Sequence, residues 1–167
     1  MGIAQKLYEA GHITYMRTDS TNLSDQAKAE TFAYIEKKFG KENLMPRVFK
    51  TKSKNAQEAH EAIRPTHPNK ENITGMEYQK KLYRLIWERT IASQMADARV
   101  LRTKISANIN LVVGLPSGNP TTKPTQIPNF SINGSRTLFP GWLSVDSDAE
   151  KEEASLPKVI LGEKLSL

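Results

Sequence analysis

The chain has 167 residues, a formal net charge of +6 and no cysteine. That length allows one domain or two small ones, burying roughly 70% of the unfolded surface, and the lack of cysteine excludes a disulfide framework and a thiolate metal site. No apolar run approaches the ~20 residues of a membrane-spanning helix, and no basic and apolar pair of regions marks a secretory signal, so the expectation is no membrane and a cytoplasmic location. Excess positive charge favours a polyanionic partner through counterion release, although many basic proteins bind no nucleic acid.

In chain order, Ile3 to Ala10 reads as the end of a helix with Gly11 as its left-handed cap. Ser24 caps the next helix, whose apolar face is Phe32, Ile35 and Phe39 before Gly40 stops it. Lys37 and Lys38 at its end answer the macrodipole. Lys41 to Asn55, with Pro46, reads as a surface loop in which Lys50, Lys52 and Lys54 are candidate phosphate contacts. Thr74 and Glu77 have the spacing of a capping box, and Tyr78, Leu82, Leu85, Ile86 and Met95 mark the buried stripe of a long helix studded with Lys80, Lys81 and Arg84.

Past Asp97 the period changes from helical to alternating. Leu101, Thr103, Ile105, Ala107, Ile109, Leu111 and Val113 fall on one face of a half-buried antiparallel strand. Residues 114–129 hold four prolines and two glycines and read as a long loop. Phe130 and Ile132 begin another strand, Asn133-Gly134 supplies a hairpin turn, and Thr137 to Phe139 return before Pro140-Gly141-Trp142. Residues 146–155 are an acidic link to a short strand near Val159 to Leu161. The fold class is therefore α+β, with a mainly helical domain over residues 1–96 and an antiparallel β region over residues 97–167.

The stretch Gly11-His12-Ile13-Thr14-Tyr15-Met16-Arg17-Thr18-Asp19-Ser20 carries the chemistry. If it is extended, Tyr15 and Arg17 point to one face, about 7 Å apart at the backbone. A phenol with a reference pKa near ~10 is a poor nucleophile unless a cation favours its ionised form, which Arg17 can do while holding a phosphate oxygen. Taken alone, Tyr15 reads as a packed aromatic, and the ten-residue context reverses that reading; the alternative for Arg17, a surface ion pair, gives way to a phosphate clamp because its face is shared with Tyr15. Thr18, Asp19 and Ser20 either face the phosphate backbone or open a turn before the Ser24 helix.

His60-Glu61-Ala62-Ile63-Arg64 fails as a zinc helix, because Arg64 stands where the second histidine is needed. On a helix His60 and Arg64 would share a face suited to phosphate and base contact, although Pro65 biases Arg64 away from helical angles. The alternative for His60 is a buried structural histidine; Glu58 and Glu61 read as solvating or capping groups. Trp87 and Trp142 have the chemistry to stack on unpaired bases, yet a helical period and a Pro-Gly corner place them in the core. No phosphate-cradling Gly-x-x-x-x-Gly-Lys loop is present.

The run from Ala4 through Tyr8-Glu9-Ala10-Gly11-His12-Ile13-Thr14-Tyr15-Met16-Arg17-Thr18-Asp19-Ser20 to Ser24 resembles the active-site tyrosine region of bacterial type IA DNA topoisomerases. Gln57-Glu58-Ala59-His60-Glu61-Ala62-Ile63-Arg64-Pro65-Thr66 is similar to a second signature of that family, and Leu82 to Trp87, Phe130 to Trp142 and Leu156 to Leu165 follow it in order, more loosely. The resemblance implies that Tyr15 attacks a single-stranded DNA phosphodiester and becomes joined to the 5′ phosphate. Arg17 stabilises the developing charge, and Thr18, Asp19, Ser20, His60 and Arg64 meet the DNA.

The same resemblance implies an acidic module before the tyrosine region that supplies a general acid and the magnesium-binding carboxylates. Met1-Gly2 is followed at once by what would be the middle of a family enzyme, so the chain reads as a central piece. It carries the nucleophile and no metal ligand, does not relax DNA alone, and has an incomplete β region, because the family's strand-rich arch comes from segments separated in sequence. The implied partners are single-stranded and negatively supercoiled DNA and the N-terminal acidic module of the same polypeptide. The alternatives are a non-catalytic module binding single-stranded nucleic acid, or a decatenating or reverse-gyrase relative; the Phe130 to Trp142 and Leu156 to Leu165 matches favour the relaxing enzyme.

Overall fold

A computed structural model describes residues 2–49, 60–107, 130–149 and 155–162. Lys50, Lys52, Lys54, Glu58, the strand positions beyond Ala107 and the loop at 114–129 lie outside them. Two compact units result, one of Met1–Arg99 with Phe139–Lys151, the other of Val100–Leu138 with Glu152–Leu167.

In the first unit, α1 (Gly2–Glu9) buries Leu7 and closes on Gly11, whose φ of 70° only glycine adopts without strain. The His12 N–H donates back to the Leu7 carbonyl at 2.9 Å, so the chain reverses immediately after the helix. Helix α2 (Asp25–Phe39) starts where the Ser24 hydroxyl accepts the Ala27 N–H and ends at Gly40. Its buried face is Ala27, Thr31 and Ile35, each one turn from the next; Phe39 packs at the margin and Phe32 is half-buried. The buried face is therefore rotated slightly from the predicted one while keeping Ile35 at its centre.

The rotation is clearer in α3 (Glu77–Ser93). Tyr83, Trp87, Thr90 and Ile91 are buried, followed by Met95 past the helix end, while Tyr78 and Leu85 of the predicted stripe are exposed. Tyr83 and Trp87 prevail because each large ring also has a polar tip that finds a partner. The Tyr83 hydroxyl donates to the Lys70 carbonyl, and Trp87 Nε1 donates to the Pro68 carbonyl at 2.7 Å. Burial of the Tyr83 phenol pushes its pKa up to about 12. The helix begins two residues later than a Thr74–Glu77 box requires: Gln79 Oε1 accepts the Met76 N–H at 3.0 Å instead.

The expected surface loop after α2 is partly fastened down. A 3₁₀ turn at Lys41–Asn43 leads to an antiparallel bridge between Leu44 and Met95, and Gln94 Oε1 accepts the Arg47 N–H at 3.0 Å. Gly141 opens a second 3₁₀ turn, Gly141–Ser144, with φ of 52°; a Cβ there would lie 2.4 Å from the Ala96 carbonyl oxygen. That approach lets the Trp142 N–H donate to the Ala96 carbonyl and seats Leu143 and Val145 in buried positions.

The second unit holds one two-stranded antiparallel sheet of β1 (Arg99–Ala107) and β2 (Phe130–Phe139), apart from the end residues Arg99 and Phe139. Helices with an antiparallel sheet make the chain α+β. The predicted hairpin inside residues 130–139 is absent, since β2 runs straight through Asn133 and a buried Gly134. An Asn-Gly turn forms only when its flanks pair with each other, and here the whole segment pairs with β1. Alternating burial is confined to Ile105 and Ala107 at the end of β1; Leu101 is exposed. Nor do Val159 to Leu161 form a strand; they lie exposed and enter a turn at Gly162.

Candidate active site

The two signature segments are bound to each other through their backbones. Ile13 and Pro65 form an antiparallel bridge, the Thr14 N–H donates to the Arg64 carbonyl at 2.9 Å, and the Thr66 N–H donates to the His12 carbonyl at 3.0 Å. The Thr14 hydroxyl adds a donation to the Ala62 carbonyl at 2.7 Å and accepts the Arg64 N–H at 2.9 Å. Ile13 is fully buried in the core, so this irregular platform is anchored two residues from Tyr15.

Tyr15 stands 40% exposed on that platform with two other rings against its own. Tyr8 meets it edge-to-face at 5.4 Å and 75°, and His60 does so at 5.8 Å and 84°. Among the described residues its hydroxyl has no hydrogen-bond partner. Bends at Met16 and Arg17 break the straight extended geometry expected from the sequence. Exposure nevertheless alternates: Tyr15, Arg17 and Asp19 are exposed, while Thr14, Met16 and Thr18 are half-buried. Arg17 and Asp19 form no ion pair among the described residues. Thr18 Oγ1 accepts the Ser20 N–H at 3.0 Å, and Ser20 Oγ accepts the Asn22 N–H at 3.2 Å. These are successive hydroxyl turns of the kind that lead a chain into a helix.

His60 and Arg64 do not share a helical face, because residues 60–66 are irregular and pair with the tyrosine segment. His60 reaches Tyr15, whereas Arg64 turns inward with only 13% of its side chain exposed. Its Nε and one terminal nitrogen hold the two Glu61 oxygens at 2.9 and 3.0 Å, and the other terminal nitrogen donates to the Pro65 carbonyl. Glu61 also accepts the N–H of Ser24, the N-cap of α2, at 2.7 Å. Burial works against ionising Glu61, but hydrogen bonds from Arg64 and Ser24 outweigh it and hold the carboxyl below its ordinary pKa. Glu61 and Arg64 thus tie the second signature to the start of α2. His12, partly buried and near Lys70, has its pKa lowered and takes no part in the Tyr15 cluster.

Sequence reasoning missed Tyr8. The only signal for it was Gly11, whose reversal of the chain brings the end of α1 back beside Tyr15. Several cations are paired within the fold: Lys38 with Glu71, which also accepts the Tyr34 hydroxyl, Arg84 with Glu88, and Arg47 with Asp97. A groove of about 800 Å³ lies alongside, floored by Met16, Leu82, Leu85 and Ile86 and walled by Thr18 to Leu23. Neither Tyr15 nor Arg17 lines it, so the concavity and the reactive candidates are neighbours rather than one site. Among the described residues no three His, Asp or Glu side chains gather to hold a metal ion, and those present do not fit a metal centre.

Comparison with known proteins gives this geometry a family. The sequence model of a family described as DNA topoisomerase matches residues 1–167. The chain belongs to the bacterial type IA DNA topoisomerases. It is 41% identical over 177 residues to DNA topoisomerase 1 of a Synechocystis species, covering 98% of this chain and 18% of that protein. DNA topoisomerase 1 of Streptomyces coelicolor is 41% identical over 181 residues, covering 99% and 18%. The solved full-length topoisomerase I of Thermotoga maritima superposes with a TM-score of 0.66 at 32% identity, covering 95% of this chain and 25% of that one. The chain therefore spans about a fifth of the length of the relatives it matches. Its family is one of DNA-binding isomerases, and no helix among the described residues is long and apolar enough to cross a membrane.

Proposed function

We propose that this chain is the nucleophile-bearing part of an enzyme that relaxes negatively supercoiled DNA through transient single-strand cleavage. The Tyr15 hydroxyl loses its proton and attacks the phosphorus of a single-stranded phosphodiester. A bond from the phenol oxygen to the 5′ phosphate forms as the bond to the 3′ oxygen breaks, and that oxygen leaves as a protonated hydroxyl. Another strand passes through the gap before the 3′ hydroxyl attacks the phosphotyrosine and restores the backbone. The exchange conserves phosphoester bonds and needs no nucleotide hydrolysis.

The reading is supported chiefly by Tyr15 itself: an exposed phenol, free of internal hydrogen bonds among the described residues, held between Tyr8 and His60. Arg17, likewise without an ion pair among those residues, supplies charge for the phosphoryl oxygens. His60 positions the strand, Thr18 and Asp19 border its path, Ser20 supports that border from a buried position through its bond to the Asn22 N–H, and Arg64 acts from behind through Glu61. The proton for the leaving oxygen and the magnesium-binding carboxylates are assigned to an acidic N-terminal module outside this chain. The cytoplasm is the proposed location, and relatives named DNA topoisomerase 1 favour relaxation over decatenation or reverse gyration.

The test mixes this chain with a separately made acidic module of the family, magnesium and 3′-labelled single-stranded DNA. A denaturant-resistant adduct forms with the native sequence and is undetectable with Tyr15→Phe; Arg17→Ala slows it by roughly 10²–10³, as for removal of one charge-stabilising donor. An adduct that survives Tyr15→Phe rejects the assignment. Without the module the chain binds single strands and does not cut them.

A further inference from the structure

We propose that Tyr8 is a positioning residue that sets the orientation of the Tyr15 ring, an inference that rests on the reading of Tyr15 as nucleophile. Tyr8 lies in the last turn of α1, where its carbonyl accepts the Gly11 N–H at 2.8 Å and the neighbouring Leu7 is fully buried. Its backbone is therefore fixed from two sides. The side chain fills no core: it is 42% exposed, and its hydroxyl has no hydrogen-bond partner among the described residues. What it does touch is the ring of Tyr15, edge-to-face at 5.4 Å.

Tyr15 needs such a contact. Its phenol is tied by no hydrogen bond among the described residues, and the segment that carries it bends immediately afterwards at Met16 and Arg17. The ring contacts it makes are those with Tyr8 and His60. His60 belongs to an irregular segment, whereas Tyr8 belongs to a capped helix, so Tyr8 is the fixed wall of the pair. In-line attack on phosphorus demands a defined direction of approach, and a reacting group held loosely forfeits rate even when substrate binds as before.

The experiment places 3-fluorotyrosine at position 15 of the chain and compares the native sequence with Tyr8→Leu and Tyr8→Phe. Without DNA, the fluorine resonance moves in Tyr8→Leu and stays in place in Tyr8→Phe, which keeps the ring. With unlabelled chain, the acidic module and magnesium, single-turnover adduct formation slows about tenfold in Tyr8→Leu, a modest loss for a misplaced reacting group. Affinity for a single-stranded oligonucleotide and melting temperature are unchanged, and Tyr8→Phe restores the native rate. Tyr8→Met serves the same comparison if the leucine variant melts early. An unmoved resonance, a native cleavage rate in Tyr8→Leu, or a slowing matched by lost DNA affinity overturns the proposal. Absence of any adduct from the native chain overturns the nucleophile reading and this inference with it, while the fluorine measurement still reports whether the ring contact exists.

Discussion

The helical unit wraps Leu7, Ile35, Tyr83, Trp87, Ile91 and Met95 into one core, whereas the β1–β2 ribbon leaves Val100, Leu101, Phe130, Ile132 and Leu138 exposed. Both contain regular elements written clearly in their sequences. They differ in layers: helices packed on helices enclose a volume, but two strands make a single surface, and no second layer covers it among the described residues. The unit with a core is the one that positions Tyr15, because Ile13 in the core and Thr14 on the second signature fix the backbone beside it. Reactive geometry is found where burial is deep enough to hold an irregular segment still.

The sharpest way to break that comparison is to remove the centre of the core. Trp87→Ala costs about 3–5 kcal/mol, because it opens a cavity and strands the Pro68 carbonyl that Trp87 now satisfies; urea unfolding followed by circular dichroism of the helices measures it. Gly141→Ala comes next, at about 1–3 kcal/mol. Its added Cβ meets the Ala96 backbone in a left-handed conformation, and the same unfolding curve reads the loss.

A smaller effect depends on pH. Glu61 has a folded pKa below the ordinary 4.5, so its contribution is fully present above that value and disappears as pH falls through the lowered one. Melting temperatures taken at successively lower pH should fall less steeply for Glu61→Gln than for the native chain; parallel curves would show that the Arg64 and Ser24 contacts add nothing. Last, Leu101→Ala on the ribbon should stay within about 0.5 kcal/mol, since half of that side chain already faces solvent. A loss comparable with Trp87→Ala would mean that the ribbon has a covered face after all.

Caps and stops were the most legible features of the sequence. Ser24, Gly11 and Gly40 act through neighbours a few residues away, and each does what its chemistry predicts. Helix rotation was less legible. Leu82 and Ile86 of the predicted stripe pack at the margin of the core and Leu85 is exposed, while Tyr83 and Trp87 are fully buried, with carbonyls at Lys70 and Pro68 receiving their polar tips. The Asn133-Gly134 turn failed for a related reason: a local preference for reversal lost to pairing along the whole length of β1.

The sequence by itself determined the α+β class, the ends of the first two helices and the resemblance that pointed to Tyr15 and Arg17, because short-range chemistry and residue identity are sufficient for these. Tertiary structure alone decided that His60 and Tyr8 flank Tyr15 while Arg64 turns inward to Glu61. The placing of His60 and Arg64 depends on backbone hydrogen bonds between segments some fifty residues apart, and no local pattern specifies which distant carbonyl a given N–H will find; the Tyr8 contact follows the shorter reversal at Gly11.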